Sequence, residues 1–186
     1  MHFAVIDTET NYYDKVMSIG LVIANETFEP VHKSYFIIDP EYRVGGVFYN
    51  MLTVIEDSEV SKHRDSRKNV LEYIRNILFR YNVHQIFAYN ARFDKSHLSE
   101  LKDYKWVDIM KIAAYKQYNG FIPDSVECYP KSGRIKRGFG VEPVYRMVTG
   151  RTDYNEKHNG YHDAIDELVI MQKLNLPLDT YRNAII

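Results

Sequence analysis

Asp7 and Glu9 close the apolar run at residues 3–6, and two carboxylates with one residue between them can share a cation. In an extended chain side chains alternate with a period of two, so the pair projects to one side, about 7 Å apart along the strand. The preceding residues, Phe3, Ala4, Val5 and Ile6, have the profile of a strand buried on both faces. An ionised carboxylate ending such a strand gives up several kcal/mol of hydration unless a counter-charge is near. A metal ion supplies one. The competing reading is that Asp7 and Thr8 begin a turn and Glu9 points into water.

Two other stretches offer acids. Asn90 to Asp94 follow the apolar run at residues 85–89 directly, which puts Asp94 in the first turn of the next helix. An acid there is also favoured by the helix dipole alone. Residues 161–167, Tyr-His-Asp-Ala-Ile-Asp-Glu, open the last strong helix with a histidine among acids. Read in isolation, this is simply an acidic helix start.

The elements that must carry these residues are legible from periodicity. Residues 16–24 and 28–38 read as a second and third strand, and short polar connections make the three an antiparallel meander. Residues 41–60 have poor periodicity, interrupted by Gly45 and Gly46, and read as a surface loop or short helical turns. Apolar positions Val70, Leu71, Ile74, Ile77, Leu78 and Tyr81 predict a helix over 65–81. Strand 85–89, helix 91–101, strand 106–109 and helix 110–117 follow. Residues 119–140 are rich in glycine, proline and charge, too long and charged for core, with Lys131, Arg134, Lys136 and Arg137 close together. That run is either a solvated loop or a phosphate-contacting arm. Helices over 141–148 and 161–174 complete the chain. The order predicts an α/β fold with a mixed five-stranded sheet, three antiparallel strands and then two more, flanked by helices.

Composition narrows the function classes. The chain has 186 residues, 45% hydrophobic and 26% charged, as expected of one soluble globular domain over 1–186. No stretch nears the roughly 20 apolar residues of a membrane span, and Met1 to Phe3 run straight into the first strand, leaving no room for a leader. A cytoplasmic location is expected. Cys128 is the only cysteine, which excludes an internal disulfide and a cysteine zinc cage. A net charge of −1 rules out a wholly basic nucleic-acid-binding shell but leaves room for a local patch.

Taken together, the motifs resemble the DEDDh family of 3′-to-5′ exonucleases, the DnaQ-like group of proofreading subunits and oligoribonuclease-like enzymes. Asp7 and Glu9 match its D-x-E strand end, Asn90, Phe93 and Asp94 its N-x-x-F-D segment, and His162 and Ala164 its H-x-A helix start. The three occur in the family's order and span nearly the entire chain. The resemblance implies a ribonuclease H-like fold.

One position departs from the pattern. The family's last metal-binding acid is an aspartate five residues after the histidine; here that position is Glu167, and Asp166 stands one earlier. At 100° per residue from His162, Glu167 falls at about 140°, on the edge of the buried face marked by Ala164, Leu168 and Met171. Asp166, at about 40°, shares the outer side with Lys173. Glu167 is therefore the expected ligand.

By resemblance, Asp7, Glu9, Asp94 and Glu167 hold two divalent metal ions, and hard oxygen ligands suit Mg²⁺ or Mn²⁺. His162 becomes the general base for the attacking water, and the products are nucleoside 5′-monophosphates cut from single-stranded DNA or RNA 3′ ends. Thr8, Thr10 and Asn90 are expected to contact the terminal nucleotide, with helix capping the alternative for Asn90. Phe93 is expected in the core and His158 in a loop. The rival reading is an inactive module that binds nucleic-acid ends or a protein partner; a phosphoesterase acting on small nucleotides is a third. The motifs leave open DNA or RNA, a polymerase partner and a homodimer.

Overall fold

Alternation along the first strand, β1 (His2–Thr10), divides the core in two. Phe3 and Val5 enter one layer with Phe87, Leu168, Met171 and Tyr181, and Ala4 and Ile6 enter the other with Ile74, Leu78 and Trp106. Burying each of the larger of these side chains is worth roughly 1.5–3 kcal/mol relative to exposure. The computed structural model describes residues 1–53, 55 and 57–186, so positions 54 and 56 of the predicted surface loop lie outside the described residues.

β2 (Val16–Asn25) and β3 (Pro30–Ile38) pair antiparallel as expected, with Asp7 opposite Gly20 and Glu9 opposite Ser18. β5 (Gln85–Ala88) runs parallel to β1, and β6 (Lys105–Asp108) parallel to β5. Among the described residues the sheet has six strands, in the order β4-β3-β2-β1-β5-β6, where five were expected. The addition is β4 (Ser61–Asp65), parallel to β3 at the edge. Its sequence, Ser-Lys-His-Arg-Asp, carries no apolar residue to report a strand. A charged edge strand also resists pairing with other chains.

α1 (Arg67–Arg80) buries Val70, Leu71, Ile74 and Leu78, and its N-terminus is capped by Ser66, whose side chain accepts from the Asn69 N–H. α2 (Arg92–His97) stops short of the predicted residue 101; Leu98 leaves helical geometry and a 3₁₀ turn, Ser99–Leu101, follows. α3 (Met110–Ala113) is also shorter than expected. The chain turns instead to pair with the basic segment, the Lys116 N–H donating to the Gly133 carbonyl and the Ile135 N–H to that of Ala114. Against expectation, then, that segment contributes to the core, through the buried Ile122 and Ile135. α4 (Val141–Thr149) ends at Gly150 in the left-handed region, and α5 (Gly160–Leu174) ends likewise at Asn175, two residues before Pro177. Among the described residues no helix is long and apolar enough to cross a membrane.

Candidate active site

The strand conformation of β1 persists past Glu9, with a register shift only between Glu9 and Thr10. The period of two therefore holds, and Asp7 and Glu9 lie on the same face as Phe3 and Val5, the layer that contains α5. α5 sits on that face by backbone contact. A β-carbon on Gly160 would lie 2.9 Å from the Gly20 nitrogen and 3.0 Å from the Asp7 carbonyl oxygen. Only glycine at both positions lets the first turn of the helix come this close to the end of β1.

α5 starts there because Asn159 caps it, its side-chain oxygen accepting from the Tyr161 and His162 N–H groups. Asp163 returns the favour, accepting from the Asn159 N–H at 2.8 Å. One turn on, Glu167 is buried at 1% exposure, on the face that points toward Asp7. Asp166 is directed elsewhere, accepting from the Tyr154 hydroxyl at 2.6 Å. Glu167 is thus turned toward Asp7, and Asp166 toward Tyr154.

Asp94, in the first turn of α2, is 2% exposed and accepts a 2.7 Å hydrogen bond from the Thr8 hydroxyl. The β1 end, α2 and α5 therefore bring Asp7, Glu9, Asp94 and Glu167 together, and Asp163 joins them. The electrostatics record this convergence. Burial raises the Asp7 carboxyl well above its usual range, and the charges of Asp94, Glu167, Asp163 and Glu9 raise it further. Glu167 is raised by burial and then by Asp94. Asp94 is raised by burial, against the hydrogen bonds from Thr8. Glu9 is pushed up to about 7, by burial first and then by the charges of Glu156 and Asp94. A cluster so poor in counter-charge is costly unless protons or cations occupy it. Two buried oxygens, Glu167 Oε2 and Asp163 Oδ1, have no hydrogen-bond partner among the described residues.

His162 stands in the first turn of α5, half-buried, its ring tilted against Tyr161 at 5.3 Å. Thr8 is buried with its hydroxyl committed to Asp94, and Thr10 is half-buried at the register shift. Asn90 is exposed, with φ +59°, and its N–H donates to Asp108 at 3.0 Å. The capping alternative for Asn90 does not hold: the cap position of α2 is Ala91, with no side-chain cap bond.

One expectation is corrected. Phe93 is 39% exposed, its ring lying against His97 at 4.3 Å, because α2 is too short to bury its outer side. His158 lies in a loop as expected, and that loop is folded onto the acids. Glu9, His158 and Asp163 each offer a ligand atom within 4.8 Å of the others. Asp163 and His158 went unassigned in the sequence because the histidine of the motif was taken as His162, although Asp163 is an aspartate five residues after His158. The available signal was that spacing, which ends on an aspartate in this register and on Glu167 in the other.

No family model matches the chain, and no curated protein matches it. Among solved structures, the chain is similar to E. coli Exonuclease I in complex with a dT13 oligonucleotide, with a TM-score of 0.62 at 12% identity. The match covers 98% of this chain and 42% of that one, so this chain spans less than half the length of its neighbour. The fold is ribonuclease H-like, of the kind that exonuclease uses.

Proposed function

We propose that residues 1–186 form one exonuclease domain of the DEDDh type, a metal-dependent 3′-to-5′ exonuclease that releases nucleoside 5′-monophosphates from single-stranded nucleic acid. One observation carries the reading: acids from β1, α2 and α5 lie close enough at the end of the central strand that the charges of Asp94, Glu167, Asp163 and Glu9 each act on Asp7. The fold of the Exonuclease I neighbour supports it, and the oligonucleotide in that structure supports a single-stranded substrate.

The residues fit a pair of hard divalent cations, Mg²⁺ or Mn²⁺. They offer carboxylate oxygens, one of them the buried, unpartnered Glu167 Oε2, where a cation would replace the missing counter-charge. Asp7, Glu9, Asp94 and Glu167 would hold them. Bound cations of this kind favour ionisation of an attacking water and offset charge on the departing 3′-oxygen. The protein's own groups supply the rest. Thr8 fixes the Asp94 carboxylate through its hydroxyl. His162, at the helix start beside the acids, takes the proton of the attacking water, a role suited to an imidazole with a reference pKa of about 6.5. Asn90, exposed at the turn after β5, and the backbone of Thr8 to Thr10 contact the terminal nucleotide.

Incubating purified protein with Mg²⁺ or Mn²⁺ and a 5′-labelled single strand tests this. Stepwise shortening from the 3′ end, lost in Asp7→Ala and His162→Ala variants that still fold, is the expected result. Binding of the strand without shortening would favour the inactive end-binding module instead.

A further inference from the structure

We propose that the cavity between the β1–β2 turn, the start of α1 and the end of α2 binds a nucleoside 5′-monophosphate whose base carries an amino group. The choice of a nucleotide rests in part on the exonuclease reading, which makes it the product; the charge pattern of the cavity stands apart from that reading.

The cavity has a volume of about 410 Å³, within the roughly 300–1,000 Å³ of small-molecule sites and more than an inorganic anion fills. It is separate from the acid cluster. None of Asp7, Glu9, Asp94 and Glu167 lines it. Val16, which does, belongs to the core layer of Ala4 and Ile6, on the other face of the sheet from α5.

Two charges of opposite sign line this cavity without a partner. Lys15 is exposed and Glu41 half-buried, neither forms an ion pair with a described residue, and they do not pair with each other. Glu41 is fixed by its backbone, its carbonyl accepting from the Asn11 side chain at 2.9 Å, while its Oε2 is buried with no hydrogen-bond partner among the described residues. A carboxylate so placed has lost hydration and has gained no donor in exchange.

The neighbouring charges are committed elsewhere and leave the two unmatched. Asp14, adjacent to Lys15, meets the His97 ring instead: Nε2 lies 3.0 Å from Asp14 Oδ1, and Nδ1 donates to the Phe93 carbonyl at 2.9 Å. Arg67 uses Nε and Nη2 on Glu100 and on the His97 carbonyl. A ligand that completes the cavity therefore brings an anion for Lys15 and an N–H donor for Glu41. A phosphate meets the first demand and the amino group of a base the second, with the sugar as the spacer between them. Ser96 and His97 end α2, the helix whose first turn holds Asp94, so the occupant rests on an element of the active site without entering it.

Calorimetry of the full chain with adenosine 5′-monophosphate in excess chelator tests the assignment, because an acid cluster stripped of cations repels a phosphate. Binding is expected, unchanged in Asp94→Asn and weaker by about 10-fold or more in Lys15→Ala and in Glu41→Ala. Adenosine and inorganic phosphate, each carrying one of the two groups, should bind about 10-fold or more less tightly than the nucleotide. Should Glu41→Ala fail to fold by circular dichroism, Glu41→Gln replaces it, keeping the shape without the charge. Absence of binding, binding that survives both substitutions, binding lost with Asp94, or tighter binding of a free amino acid such as glutamine overturns the site. Digestion of a single strand with Mg²⁺ by the same samples separates the two readings. A protein that holds the nucleotide in chelator but cuts nothing keeps this cavity and loses the exonuclease; cutting without such binding does the reverse.

Discussion

Gly20 and Gly160 meet backbone to backbone: a β-carbon on Gly20 would lie 1.9 Å from the Gly160 carbonyl oxygen. This approach sets the height of α5 above the sheet, and with it the separation between Asp7 on β1 and Asp163 and Glu167 on the helix. Gly20→Ala must push the helix away, because the obstructing atom is backbone and cannot rotate aside. Overpacking of this kind costs about 1–3 kcal/mol, sometimes more. A lowered melting temperature together with weakened Mn²⁺ binding is expected; an alanine variant with wild-type stability and affinity would show that α5 does not rest on Gly20.

The acids make stability depend on pH. Burial raises Glu9 to about 7, and Asp94 and Asp163 are raised chiefly by burial as well. Carboxyls whose folded pKa exceeds the unfolded value of about 4 bind protons more tightly when folded. Their contribution is full below about pH 4 and is lost as pH climbs through about 7. In chelator, the protein should melt at a lower temperature at about pH 8 than at about pH 5.5, and Mn²⁺ should restore stability most at the higher pH. Glu9→Gln should flatten the slope. A chelated protein whose melting temperature rises across that range contradicts the clustering of ionisable acids.

Thr8 acts on Asp94 rather than on solvent. Replacing it with valine keeps the shape and removes the 2.7 Å hydrogen bond. Loss of a group that orients a metal-binding side chain typically costs 10–100-fold, so the exonuclease rate of Thr8→Val should fall by about that factor with the fold unchanged. Serine at this position should recover most of it. Equal rates for valine and threonine would leave the hydroxyl without a role.

The glutamate at the family's aspartate position invites a direct comparison. Glu167→Gln should abolish turnover, whereas Asp166→Asn should retain it and lose only about 1 kcal/mol of stability from the weakened Tyr154 hydrogen bond. Denaturant melts and single-strand digestion on both variants decide the matter; the opposite pattern would move the ligand to Asp166.

The basic segment offers exposed Lys131 and Arg137, while Arg134 is stacked over Tyr129 and Phe139, 5.1 Å from each ring centroid. The Tyr89 hydroxyl ties the end of this segment to the β5 side of the site by donating to the Phe139 carbonyl at 2.6 Å. If the exposed pair neutralises phosphates, replacing both with alanine should make the salt dependence of single-strand binding shallower, by about 0.7 in log–log slope for each phosphate left unpaired. An unchanged slope in a fluorescence titration would return the segment to the role of a solvated loop.

Much of the architecture was readable because it is local. The apolar spacing of Val70, Leu71, Ile74 and Leu78 defined α1, and the alternation in β1 put Asp7 and Glu9 on one face before any partner was known. Errors arose where a segment's conformation depends on a distant one. β4 has no apolar residue and exists because β3 supplies hydrogen-bonding partners. α3 ends early because Lys116 finds the Gly133 carbonyl. Ile135 is buried inside a segment whose charges suggested solvent.

The amino-acid order alone determined which acids are available and, through the fixed periods of strand and helix, which way Asp7, Glu9 and Glu167 turn from their own backbones. It could not determine that His158 and Asp163 gather beside Glu9, nor how closely α5 approaches β1. Those depend on two glycines, 140 positions apart in the numbering, packing against each other, and the meeting of remote segments is a property of the folded chain alone.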